Sequence, residues 1–164
     1  MSKDFVHLHL HTDFSLLEST IQIKPRAKKL NELEMKACAI TDYGNMYGAV
    51  TFYNTMKANG IHPILGYEAF LTFESRFEKT ATVKGGEKPY YQIVLLAQNI
   101  QGYYNLAYLA SKAFSEGLHY KPRIDLELLE EKKDGLIILS SGANGFVWHH
   151  LHQSNEEEAL RKSG

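Results

Sequence analysis

Every second residue of Val6-His7-Leu8-His9-Leu10-His11 is apolar, and every other one is a histidine. A period of two marks a β-strand, whose successive side chains point to opposite faces. The pattern predicts a strand over 5–11, with Val6, Leu8 and Leu10 on one face and His7, His9 and His11 on the other. A polar, irregular loop follows over 12–22. Lys24-Pro25 opens a helix whose apolar side comes from Leu30, Leu33 and Met35; proline in a first turn gives up an N–H that the helix does not use.

Apolar runs predict four more strands over 37–41, 64–73, 91–97 and 136–140, the second of these interrupted by Gly66. Helices are expected over 46–59, stopped by Gly60, over 102–115, over 124–131 with Asp125 as cap, and over 147–152. The polar stretch 73–89 reads as a hairpin or loop that leaves the core, and 154–158 as the acidic first turn of another helix. Repeated strand–helix units argue for an α/β fold, either a parallel sheet or a barrel with its polar residues at the strand ends. Five strands do not close an eight-stranded barrel.

Composition narrows the picture. The 164 residues, 44% hydrophobic, can bury a real core. Lys and Arg number 18 against 19 Asp and Glu, so the chain is no electrostatic nucleic-acid binder by itself. The one cysteine, Cys38, lies in an apolar run, which excludes a disulfide framework and favours a reducing, cytoplasmic compartment. No apolar run has the length of a membrane span.

Imidazoles on one strand face suit nitrogen ligation of a metal ion. Three carboxylates accompany them. Glu18, on the loop after the histidine strand, reads either as a solvated loop carboxylate or as the residue that completes a metal shell. Asp42, in Thr41-Asp42-Tyr43-Gly44-Asn45, reads either as a helix cap or as the residue that orients a histidine. Glu68, in Gly66-Tyr67-Glu68 on an apolar strand, needs a cation or a metal as partner. The late cluster His149-His150 with His152 reads as helix surface. No P-loop, dinucleotide fingerprint or Ser-His-Asp order is present.

The runs 5–12, 40–49, 63–68, 95–99, 102–106 and 121–125 resemble the PHP (polymerase and histidinol phosphatase) domain family. Within it they are most similar to the branch found in α subunits of bacterial DNA polymerase III. The resemblance covers nearly the whole chain and implies a distorted (β/α)7 barrel with a metal cluster at its C-terminal rim, here truncated before its last strands. It places His9, His11, Glu18 and Glu68 on ligand positions, and puts Tyr43, Gln92 and Gly142 where the family carries two histidines and a cysteine. The closing Asp and His motif would lie beyond Gly164. Neutral tyrosine and glutamine are poor ligands, so the expectation is a degenerate site with no cofactor, or at most one weakly held zinc or manganese ion. The resemblance implies a structural and docking role in DNA replication over 1–164. The rest of the α subunit and the proofreading exonuclease subunit would be the partners, with DNA reached only indirectly and no membrane contact. The polymerase's catalytic carboxylates are not in this stretch. The alternative is a metal-dependent phosphoesterase or 3′–5′ exonuclease, kept open by the intact His9-Leu10-His11 with Glu18 and Glu68.

Overall fold

The computed structural model describes residues 5–79, 89–152, 157 and 160. Its centre is the eleven-residue strand β2 (His62–Thr72), buried over most of its length. β1 (Ala37–Tyr43) runs parallel to the first part of β2, from Ala37 opposite His62 to Tyr43 opposite Glu68. Where β1 ends, β5 (Lys121–Asp125) takes over the same edge, with Phe70 opposite Arg123. The other edge of β2 carries β3 (Tyr91–Ala97), which in turn pairs with β6 (Leu136–Ser140). The two-residue strand β4 (Leu118–His119) completes a six-stranded sheet.

Both pairings of β3 are antiparallel, so the sheet is mixed, and of the two expected architectures the parallel sheet is corrected. The physical reason is the connection. Among the described residues between β2 and β3 no helix lies; a parallel neighbour would need a crossover, whereas an antiparallel one can follow a short return. The β4–β5 hairpin was also missed: residues 121–125 form a strand, and the helix begins only at Leu126. Residues 80–88, and 154–158 apart from Glu157, fall outside the described residues.

Helices cover the sheet where apolar periodicity placed them. α1 (Ile23–Glu32) and α2 (Ala49–Ala58) bury Ala27, Leu30, Phe52 and Met56 against Cys38 and Ile40 of β1. α3 (Ile100–Ser115) buries Leu106, Leu109 and Ala113 against Tyr67, Leu71, Leu95 and Ile124. Asn99 caps α3 by accepting from Gly102 N–H at 3.0 Å, and Asp125 caps α4 (Leu126–Glu131) by accepting from Leu128 N–H at 3.0 Å. Gly60 ends α2 at φ +70°, a conformation that favours glycine. After β6 a short 3-10 turn, Gly142–Asn144, leads into α5 (Phe146–His152).

The histidine segment is less regular than its alternation predicts. It bends at Leu8 and His9 and meets β1 through one bridge, His7 to Cys38. Backbone bonds from Ala39 N–H to His7 O and from Thr41 N–H to Leu10 O, each 2.8 Å, hold it alongside. The alternation survives over His9, Leu10 and His11, with Leu10 buried in the core. It fails at Leu8, which is 40% exposed.

Candidate functional site

The site lies where β1 ends, between the histidine segment and β2. Glu68 comes from a strand interior and is 1% exposed. His9 Nε2 and His11 Nε2 both stand 2.6 Å from the same oxygen, Glu68 Oε2. The other oxygen, Oε1, accepts a hydrogen bond from the Ser141 hydroxyl. A carboxylate only accepts, so each imidazole presents Nε2 as a donor in this arrangement. Burial pushes the Glu68 pKa up, but the bonds from His11, His9 and Ser141 outweigh it and hold the group at about 2. The hydrogen bond to Glu68 raises the pKa of His9 despite the opposing effect of burial, and the charge of Glu68 adds to the rise.

Local chemistry explains why the histidine segment stays in place. Asp42, on β1 and 1% exposed, accepts from Thr12 N–H at 2.5 Å, from the Thr12 hydroxyl at 2.7 Å and from the Ser15 hydroxyl at 2.7 Å. It therefore orients no histidine directly; it pins the loop that leaves His11. The Ser19 hydroxyl donates to His11 O at 2.9 Å from the far side of that loop. Thr41 Oγ1 accepts from Leu10 N–H at 2.7 Å.

The predicted residues separate into two groups. His9, His11 and Glu68 converge, each offering one ligand atom, with all three atoms within 4.8 Å of one another. Glu18 is exposed on the loop and outside that group, although its charge reaches the Tyr43 phenol. His7 does not share their face. It packs edge-on against Phe5 at 4.9 Å, and burial, followed by the Arg26 guanidinium, lowers its pKa. The bends at Leu8 and His9 turn it away.

Tyr43 stacks on His11 at 3.9 Å between ring centroids, with Phe70 beyond it at 6.3 Å. Burial, then the charges of Glu68 and Glu18, push its phenol pKa up. A phenol kept neutral is a poor metal ligand. Gln92 projects from β3 with its Oε1 buried and without a hydrogen-bond partner. Beside it is a cavity of about 290 Å³ shared with Pro89, Tyr90 and Asn144. Ser141, whose hydroxyl reaches the site at Glu68, does not stand out in the sequence. The available signal was its place directly after β6, one residue before Gly142, at which the resemblance sets a ligand. Of the late histidines, His152 is exposed as expected and His149 half-buried, but His150 is not on the surface. His150 is 3% exposed, packed on Phe146 at 4.2 Å and on Tyr91, because α5 lays that side of the helix against the sheet.

Two imidazole nitrogens and one carboxylate oxygen suit a single zinc-type ion with an open coordination position. Among the described residues no other group of three such ligands comes together, and these three fit one ion.

Comparison with known proteins bears on the same residues. DNA polymerase III subunit alpha of Helicobacter pylori (strain ATCC 700392 / 26695) is 43% identical over 163 residues, 99% of this chain and 13% of that protein. The Aquifex aeolicus protein of the same name is 47% identical over 97% of this chain and 14% of its own length. That of Thermus aquaticus is 47% identical over 83% of this chain and 11% of its own. The chain thus spans about an eighth of the length of these relatives. Among solved structures, an amidohydrolase from Chromobacterium violaceum aligns at TM-score 0.44 and 15% identity over 65% of this chain and 34% of that one, too distant to bear on function. Residues 7–163 match the PHP domain, a span that takes in the histidine segment, Glu68 and Ser141; the chain belongs to the PHP domain family.

Proposed function

We propose that residues 1–164 are the PHP segment of a bacterial DNA polymerase III α subunit and that they act in DNA replication as a structural and docking module. The partners are the rest of the α subunit and the proofreading exonuclease subunit, and DNA is reached through that assembly in the cytoplasm. Among the described residues no helix is long and apolar enough to cross a membrane.

The donor set at the rim carries this reading. Phosphoester hydrolysis of the two-metal type needs ions ~3.5–4 Å apart that clamp both the attacking and the leaving oxygen. His9, His11 and Glu68 supply ligands for one ion. Tyr43 is neutral and stacked on His11, and Gln92 is a weak oxygen donor on the neighbouring strand. Both stand where the resemblance sets histidines. A divalent ion held by the three ligands would polarise a phosphoryl oxygen. Without an ion, Glu68 holds the two imidazoles in register through their Nε2–H groups, and Asp42 fixes the loop behind His11. The ligand set alone supports the second reading, a metal-dependent phosphoesterase or 3′–5′ exonuclease, because two histidines and a glutamate also form the shell of catalytic zinc sites.

Two measurements on the purified chain test the proposal. Calorimetric titration with the proofreading exonuclease subunit of the same replisome is expected to show binding that His9→Ala/His11→Ala leaves unchanged. A phosphodiester assay is expected to show no chelator-sensitive hydrolysis above that double variant. Chelator-sensitive turnover lost in His11→Ala would replace the docking reading with the enzymatic one.

A further inference from the structure

We infer that Ser141 is a positioning residue: its hydroxyl turns the Glu68 carboxylate so that a single oxygen, Oε2, is presented with His9 and His11 to one divalent cation. The inference rests on the reading above that the rim holds at most one ion, and it names what sets the affinity.

A glutamate carboxylate turns freely about its last side-chain bond, with a broad, two-fold preference, so nothing intrinsic decides which oxygen faces the histidines, or whether both do. Ser141 is 6% exposed at the end of β6, 73 residues away in sequence, and its side chain reaches Glu68 Oε1. Both imidazoles fall on Oε2 alone. The hydroxyl proton can go only to the carboxylate, because a carboxylate has none to give at this bond. Oε1 is thus engaged from behind, and Glu68 would offer a cation one oxygen beside two imidazole nitrogens. His9 is partly exposed. Outer partners of this kind typically govern metal affinity by about 10- to 100-fold.

Zinc titration calorimetry on the full chain, with His9→Ala/His11→Ala as the control for other zinc sites, tests the role. Ser141→Ala is expected to weaken zinc binding by about 10- to 100-fold. Ser141→Thr, which keeps the hydroxyl, should retain wild-type affinity, whereas the similarly shaped Ser141→Val should lose it. Thermal melts without zinc run in parallel, because a merely structural serine would lower the melt and leave the affinity alone. Equal zinc affinity in the wild type and in whichever of the Ala and Val variants melts cooperatively overturns the inference. So does a wild-type chain that takes up no zinc, an outcome that leaves the docking reading intact. Failure of the docking reading would appear separately, as chelator-sensitive hydrolysis.

Discussion

At the scale of single residues, Glu68 shows how hydrogen bonding can outweigh burial. The gap between its ordinary pKa of 4.5 and about 2 is worth roughly 3 kcal/mol of stability at neutral pH. Its folded pKa is depressed, so this contribution is present above pH 4.5 and lost as pH falls through 2. His9 has the opposite sign. Its folded pKa is raised above 6.5, so its contribution is full below 6.5 and fades as pH rises through the folded value. The difference in thermal midpoint between wild type and His9→Ala should therefore shrink as pH rises from 6 to 8.5. A constant difference would contradict the His9–Glu68 pairing. His9, His11 and Glu68 were legible in the sequence because a histidine alternation and a lone acid in an apolar strand both stand out. Ser141 was not, because a serine beside a turn glycine is ordinary, and only the 73-residue return of the chain gives it a partner.

Two elements depend on contacts that periodicity does not reveal. Asp42 ties β1 to the loop after His11 through three hydrogen bonds. Asp42→Ala leaves those donors without their acceptor in a buried place. It should cost about 3 kcal/mol in urea unfolding, and a loss under about 1 kcal/mol would show that the loop holds without it. The sequence offered Asp42 as a cap or a histidine partner, and the structure makes it a loop pin, because its neighbours in space are Thr12 and Ser15. Gly66 lies on β2 between β1 and β3, where an added Cβ would meet Leu95 O at 2.3 Å. Gly66→Ala should destabilise the chain by at least about 3 kcal/mol, the upper part of the range for overpacking. A melt within a degree or two of wild type would mean that the strands can part at little cost. Sequence marked Gly66 only as an interruption; the reason for it is the close passage of β3.

Over the whole molecule, most strands and helices were legible because their apolar periods are clean and some of their ends carry signals, such as Gly60 and Asp125. The direction of β3 was not, since pairing direction depends on connection geometry, and an apolar run such as 91–97 is equally at home in either sense. The bends in the histidine segment were hidden for a related reason. Alternation predicts a straight strand, yet the segment makes only one bridge to β1 and follows its contacts to Glu68 and Asp42. That bend leaves two histidines, rather than three, to meet the buried carboxylate. The account therefore stands on how many ions the rim can hold. Elemental mass spectrometry on the untagged chain after dialysis against zinc, beside His9→Ala/His11→Ala, measures this directly. One equivalent in the wild type and none in the double variant is the predicted result; two or more equivalents, or metal bound equally by both proteins, would contradict it.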